Sequence, residues 1–341
     1  MLRDDIETLC GLRGISGQED EVRDFLLKEI APYAACTVDA MGNLLVEKKG
    51  KKTAEKRVLF SAHMDEVGFI VTHIEEDGLL RIAPVGGISP LVTPGRAVLV
   101  GEKAAPGVIG CKPVHLLEKG EKDKPAPLEE CRVDMGAANK EEACALASPG
   151  DAVTFDASFL RLGGEKFCAK AIDDRAGCAI LLDMIRQELP YDCLFSFTVQ
   201  EETGCAGAKA AAFALRPDIA IAVESTTAAD LADVKPGKEV CRQGCGPVLS
   251  FMDKGTLYDK ELFRFVCERA EKNGLAFQTK QGVFGGNESR SLQTAGGGAR
   301  VLAVSLPVRY LHSASGVCGW RDAEETRKLL GHMAAWLPGW V

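Results

Sequence analysis

The stretch Gly68–Gly87, GFIVTHIEEDGLLRIAPVGG, opens a region unlike the sequence on either side of it. GFIVTHI (68–74) and LLRIAPVGG (79–87) are followed by GRAVLVG (95–101), GVIG (107–110) and DAVTFD (151–156), short β-like runs punctuated by Gly and Pro. A short helical candidate at 140–147 is the only interruption of that kind. Short strands at this spacing predict a small antiparallel barrel or sandwich. The charged, Lys- and Pro-rich segment 118–127 reads as a solvated loop within it.

Outward from this region the periodicity changes. Residues 4–30 have helical spacing, with Ile6, Leu9 and Cys10, then Val22, Phe25, Leu26, Leu27 and Ile30 on one face. Ser16 with Glu19 three residues on reads as a capping box opening the second helix. After Pro32, strands are expected at 37–38, 43–46 and 57–62. Beyond Ala169, helices at 175–188, 206–214, 261–273 and from 323 alternate with strands at 193–199, 218–223, 277–278 and 301–305. Such alternation predicts a mostly parallel sheet covered on both faces. The expected architecture is a discontinuous α/β domain, residues 1–66 and 167–341, interrupted by a β insert at 67–166.

Composition bounds the function. The 341 residues allow about two domains with a full core. With 46% hydrophobic and 26% charged residues, neither disorder nor a fibrous repeat fits. Forty-one Lys and Arg against 49 Asp and Glu give a net charge of −8 and no basic stripe, which argues against nucleic-acid and anionic-membrane partners. Thirteen cysteines, an odd number without a Cys-x-x-Cys pair, read as reduced thiols in a reducing compartment. The N-terminus MLRDDIETLCGLRG lacks a signal-peptide pattern, and no segment approaches the roughly 18 apolar residues of a membrane span. A cytoplasmic location is expected.

Four segments place acids or histidines directly after apolar strand-like runs: SAHMDEVG (61–68), AIDDRAG (171–177), VQEETG (199–204) and AVESTTAAD (222–230). In an open α/β sheet the ligand crevice lies outside the carboxyl ends of the strands, so these segments can converge. His63 and Asp65 share a face in extended backbone, so the carboxylate can fix the imidazole tautomer while the other ring nitrogen meets a cation. A hydrogen-bonded pair at a strand end would look the same. Asp173 and Asp174 can cap a helix, and a carboxylate there can equally bridge two cations.

Adjacent Glu201 and Glu202 ending a buried strand repel unless a cation or proton is shared. One can coordinate while the other takes a proton from water; two solvated loop glutamates are the plain alternative. Glu224, closing IAIAV, and His312, in RYLHS, add further ligand types, whereas His73, His115 and His332 read as structural. Together these residues form the N/O donor set of a dinuclear hydrolase rather than a thiolate site.

Rival chemistries lack their motifs. No P-loop and no GxSxG elbow occurs, and Gly285–Gly286 and 296–298 do not form a dinucleotide fingerprint. Cys178 and Cys205 lie beside the acidic motifs but read as packing residues.

The ordered motifs HMDEVGF, VGG with GRAV, GVIGCKPVHLL, VDMGAANKEEA with PGD, AKAIDDRAGCAIL, VQEETGCAGAKAA, AVESTTAAD and LPVRYLHS closely resemble the glutamyl and tetrahedral (TET) aminopeptidase family of dinuclear metallopeptidases, some of whose members are labelled endoglucanases. The resemblance spans nearly the whole chain. It implies a phosphorylase/hydrolase-like three-layer α/β catalytic domain with an inserted small β-barrel serving oligomerisation and substrate access. It implies two divalent ions, zinc or cobalt, with manganese also accepted by such a donor set. Asp173 would bridge them, with His63 and Glu224 on one ion, Glu202 and His312 on the other, Glu201 as general base and Asp65 orienting His63. A cis peptide bond between Asp173 and Asp174 is implied, as is assembly of dimers into a tetrahedral dodecamer that admits short peptides.

Departures from the family pattern are specific. Glu224 stands where many relatives have Asp. In GGNESRS (285–291), Glu288 and Arg290 replace the usual Asp and small residue near the expected substrate pocket, and SASGV (313–317) has Ala314 and Gly316 for Pro and Glu. The altered Glu288 and Ser315 regions motivate a second reading, a deacylase or amidohydrolase acting on acylated amino acids or modified peptides; a scaffold that kept the fold but lost turnover is a third, against which all five candidate ligands and the base are present. A cellulase is disfavoured: only 6% of residues are aromatic, too few for a typical sugar groove.

Overall fold

The computed structural model describes residues 1–120, 123–235 and 237–340; positions 121 and 122 of the expected 118–127 loop lie outside the described residues. Helices α1 (Leu2–Gly11) and α2 (Asp20–Ile30) precede strands β1 (Ala35–Val38), β2 (Leu44–Lys48) and β3 (Val58–His63). Six strands follow: β4 (Gly68–Ile74), β5 (Leu80–Val85), β6 (Ala97–Val100), β7 (Ala105–Gly110), β8 (Arg132–Asp134) and β9 (Ala152–Phe155), with α3 (Lys140–Cys144) before the last. Strands β10 (Leu160–Leu162) and β11 (Lys166–Ala169) lead into α4 (Ile172–Arg186), β12 (Cys193–Thr198), α5 (Ala206–Leu215) and β13 (Ile219–Thr227). The chain continues with β14 (Val248–Ser250), α6 (Lys260–Lys272), β15 (Gln278–Thr279), α7 (Ser289–Thr294), β16 (Arg300–Val308), β17 (Gly316–Gly319) and α8 (Trp320–Trp336).

Eight strands form one sheet in the order β1-β2-β12-β3-β13-β16-β14-β15. Its middle four, β12, β3, β13 and β16, run parallel, while β1 pairs antiparallel with β2, β2 with β12 and β14 with β16, and the edge strand β15 runs parallel to β14. Every residue of β3 and β12 is buried, which is why these strands read as mostly apolar runs without a two-residue alternation. Phe60 and Phe195 stack on one face of the sheet, centroids 5.7 Å apart, inside the core shared with α1, α2, α4, α6 and α8. The opposite face is covered by α5 and α7.

The β region is a closed barrel, β4-β5-β8-β7-β6-β9, with antiparallel pairing throughout, so closure decides between the two expected forms. It encloses a core of its own around Phe69, Ile109, Val133 and Phe155.

Three expectations change. Helix α2 starts at Asp20, not in a capping box at Ser16: the Ser16 hydroxyl donates to Asp65 Oδ2 at 2.6 Å, and Glu19 Oε1 accepts from the amides of Gly17 and Gln200 at 2.7 and 3.0 Å. Strands β10 and β17, which flank β11 in a separate three-stranded sheet, and helix α7 are too short for a sequence period to reveal. Helix α4 begins at Ile172 but breaks its own geometry at Asp173 and Asp174, joined by a cis peptide bond as the family pattern implies.

One buried cation fixes the entry of the chain. Arg175, fully enclosed, donates from Nε to Met64 O at 2.6 Å, from Nη1 to Leu9 O at 2.9 Å and from Nη2 to Gly14 O at 3.2 Å. Beside it Lys170 Nζ binds Leu12 O at 2.7 Å and Glu66 Oε1 at 2.8 Å. The end of β3, the loop after α1 and the start of α4 are thereby tied to one point.

Candidate metal centre

The carboxyl ends of the parallel strands converge as expected. His63 is the last residue of β3, and Thr198, its register partner in β12, leads into the turn carrying Glu201 and Glu202. Glu224 lies in β13, Asp173 at the head of α4, and His312 in the loop after β16. All seven residues singled out in the sequence, His63, Asp65, Asp173, Glu201, Glu202, Glu224 and His312, meet here.

Asp173 stands between the two imidazoles. Its Oδ1 lies 3.5 Å from His63 Nε2, and its Oδ2 lies 3.4 Å from His312 Nε2. Glu224 Oε2 lies 3.8 Å from His63 Nε2, and Glu202 Oε1 lies 3.2 Å from His312 Nε2. Two donor groups result, His63–Asp173–Glu224 and Asp173–Glu202–His312, each with ligand atoms within 4.8 Å of one another. A third such grouping joins His63 to Glu201 and Glu202.

The other ring nitrogen of each histidine is held by the backbone. His63 Nδ1 lies 3.1 Å from the carbonyl oxygen of Asp65 and 3.4 Å from its carboxylate Oδ1, so orientation comes first from the main chain. His312 Nδ1 lies 2.8 Å from Gly87 O, which belongs to the barrel region. Asp65 has a larger task than the one expected of it. Its Oδ1 accepts the amide of Glu201 and its Oδ2 the amide of Glu202, both at 3.0 Å, which fixes the turn that presents the two glutamates.

Electrostatics point the same way. Burial alone would lower the proton affinity of both histidines, but the surrounding acids win: His312, flanked by Asp173 and Glu202, is pushed up to about 11, and His63, beside Asp173 and Asp65, is also raised. Asp173, although buried, is held below the usual carboxylate range by the two imidazoles. Burial, with Glu202 nearby, pushes Glu201 up to about 7. Glu224 is raised by burial. A site this rich in enclosed carboxylate needs positive charge.

The residues present fit divalent cations. Glu202 Oε1 is enclosed without a hydrogen bond of good geometry, and Asp173 directs one oxygen to each donor group. Imidazole and carboxylate with no thiolate at the centre suit zinc, cobalt or manganese. Ala171, Gln200, Cys205, Tyr310 and His312 all take left-handed φ near +55°. A left-handed non-glycine residue is costly and concentrates where the fold must aim functional groups.

Several positions could not be placed from sequence. Cys205, read there as a packing residue, donates its thiol to Glu201 Oε1 at 3.1 Å, and Cys178 donates to His63 O at 3.1 Å. Glu288 does not line the substrate cavity: it is fully buried behind the site, accepting from Thr198 Oγ1 at 2.6 Å, while its amide faces Glu224 Oε1 at 3.3 Å. Arg290 is exposed in α7 beside Gly204 and Gly255. Ala314 packs into the barrel core, and Gly316 opens β17. A cavity of about 390 Å³ opens beside the acids, with Ser225, Thr226, Lys280, Phe284 and Asn287 among its lining residues. Neither Lys280 nor Ser16 carried a sequence signal for this site, because each reaches it from a loop.

Comparison with known proteins agrees with this geometry. The sequence pattern of the M42 glutamyl aminopeptidase family matches residues 42–329. The chain is 32% identical to a lysyl aminopeptidase of Pyrococcus furiosus, over 93% of this chain and 92% of that one. It is 30% identical to a glutamyl aminopeptidase of Lactococcus lactis, over 92% and 90%. Among solved structures, a TET aminopeptidase from a marine sediment Thaumarchaeota archaeon superposes with a TM-score of 0.93 at 30% identity, covering 98% of this chain and 95% of that one. A TET1 peptidase of Pyrococcus horikoshii that can assemble into a tetrahedron or a large octahedral shell gives 0.86 at 36% identity, covering 98% and 99%. The chain belongs to the M42 glutamyl aminopeptidase family and is a hydrolase of peptide bonds.

Proposed function

We propose that this protein is a metal-dependent aminopeptidase that releases single N-terminal residues from short peptides at a dinuclear site. The carrying observation is Asp173, whose two oxygens face different histidines at 3.5 and 3.4 Å. In this reading His63 and Glu224 hold one ion, Glu202 and His312 the other, and Asp173 both. When bound, such ions supply Lewis acidity toward water and the scissile carbonyl.

The chain's own groups do the rest. Asp65 holds the 201–202 turn through both amides, so Glu201 and Glu202 keep different jobs. Glu201 takes a proton from the attacking water at its carboxylate and returns it to the leaving amine nitrogen. The enclosed acids beside the cavity attract the free α-ammonium of the substrate, which favours removal of one residue over internal cleavage. Burial of Glu288 removes one of the two sequence changes that motivate a deacylase reading.

Glu201→Gln is expected to retain two metal ions per chain by elemental analysis while kcat falls about 10²–10⁴-fold. Normal turnover by that variant would refute the base assignment.

We further assign residues 67–166 as an inserted unit within 1–66 and 167–341; the separate barrel core supports this division. Self-association of dimers into a dodecamer is proposed from the TET1 structures, one of which is a dodecamer, and light scattering at the single-chain mass would overturn it. No helix among the described residues is long and apolar enough to cross a membrane. A cytoplasmic location is proposed on the free state of all thirteen cysteines, and secretion detected by cell fractionation would exclude it.

A further inference from the structure

All thirteen cysteines are free, and the strand ladders set two of them apart. In the barrel, β7 pairs antiparallel with β8, with Val108 opposite Asp134, Ile109 opposite Val133 and Gly110 opposite Arg132. One further step in that register sets Cys111 opposite Cys131. Side chains alternate along a strand, so both thiols fall on the side of Ile109 and Val133, which are fully buried in the barrel core, and not on that of half-exposed Val108. No other ladder among the described residues brings two cysteines face to face. Cys36 lies opposite Val46, Cys193 opposite Lys48, Cys318 opposite Phe167, and Cys168 opposite Leu160 and Val317.

Direct cross-strand neighbours have Cβ atoms about 4.5–5.5 Å apart, and a disulfide asks for about 3.5–4.5 Å. Both cysteines lie one residue outside their strands, where a small shift disturbs no ladder pair. The two thiols differ in access. Cys111 is exposed and lines a cavity of about 590 Å³, within the size range that takes a small molecule. Cys131 is fully enclosed, its thiol donating to Pro127 O at 3.7 Å, and burial together with the neighbouring Cys111 raises its proton affinity. An accessible thiol backed by a sheltered one suits oxidation through a mixed disulfide.

We propose that Cys111 and Cys131 form a reversible thiol–disulfide site, oxidised by low-molecular-weight disulfides such as oxidised glutathione. The Cys111 thiolate attacks one sulfur of the reagent, whose S–S bond breaks and releases one thiol. Cys131 Sγ, as its thiolate, then attacks Cys111 Sγ; the mixed S–S bond breaks and the second thiol leaves. The two cysteine protons end on the two released thiols, and the two electrons lost by the protein are gained by the reagent. The new bond ties together the two ends of the segment that leaves the barrel after β7 and returns at β8. None of the proposed metal ligands belongs to that segment, so the inference stands apart from the aminopeptidase reading.

The full-length protein, reduced and then freed of reductant, is incubated with excess oxidised glutathione, quenched with an alkylating agent and digested, and its peptides are identified by mass spectrometry without reduction. The peptides carrying Cys111 and Cys131 are expected to be joined, lighter together by two hydrogens, and dithiothreitol is expected to separate them again. In Cys131→Ser, Cys111 is expected to stop at the mixed disulfide with glutathione. In Cys111→Ser, the enclosed Cys131 is expected to stay unmodified. Wild-type protein in which both thiols remain free, in which Cys111 retains glutathione, or in which Cys111 is joined to Cys144 or to Cys111 of a second copy overturns the proposal without needing any variant to fold.

Discussion

The thiol of Cys205 sits 3.1 Å from Glu201 Oε1, is 2% exposed and crosses only the short turn between the glutamates and α5. In sequence it is one of thirteen scattered cysteines, and nothing in its spacing sets it apart. What distinguishes it is a left-handed backbone at φ +60°, which turns Sγ back over the glutamate. Burial and the neighbouring Glu201 raise its proton affinity, so it stays a neutral donor. Cys205→Ala is expected to lower kcat about two- to tenfold with KM little changed, the worth of one ordinary hydrogen bond, and Cys205→Ser to recover much of it. Steady-state kinetics showing all three proteins alike would remove the contact from the mechanism. Asp65 teaches a related lesson. Its pairing with His63 could be read from two-residue spacing, but its grip on the amides of Glu201 and Glu202 spans 136 and 137 positions and had no local trace.

Elements with a long, uniform period were legible. Helix α6, with Leu262, Val266 and Ala270 on its buried face, and the fully buried strands β3 and β12 were expected within one to two residues of where they lie. Helix α2 was misread at its start because Ser16 and Glu19 have cap-forming side chains that tertiary partners take instead. Docking of that N-terminal segment depends on Arg175 from α4. Arg175→Met would leave carbonyls of Leu9, Gly14 and Met64 without this donor, and Glu66 with one fewer buried cation, 3.7 Å away. A destabilisation of about 3–5 kcal/mol is expected, read as a lower urea midpoint in the metal-free protein. Loss of less than about 1 kcal/mol, the range of an ordinary substitution, would show that the hub is dispensable.

At the scale of the molecule the barrel region and the α/β layer both reach the candidate site, while all the proposed ligands come from outside the barrel strands. The barrel region contributes Gly87 O to His312, and Gly86 passes so close that a Cβ there would stand 2.8 Å from Val67 Cγ1 and 3.1 Å from Glu202 Cβ. Its φ of +83° adds about 1–2 kcal/mol of strain for any other residue. If the proposed two-ion site is right, Gly86→Ala should therefore weaken one of the two metal affinities by about tenfold or more and spare the other, as measured by titration against a chromophoric chelator. Unchanged affinity at both would show that the barrel does not position the Glu202–His312 side. The amino-acid sequence by itself determined the alternation of strands and helices, the all-β interruption and the polar strand ends, because these follow from periodicity and from residue types within a few positions. Only the tertiary structure decided which Asp173 oxygen faces which histidine, that Glu288 lies behind the site, and that Lys280 reaches the cavity. Those facts depend on side chains brought together by strand crossovers and loops, and no local pattern records a contact between residues a hundred or more positions apart.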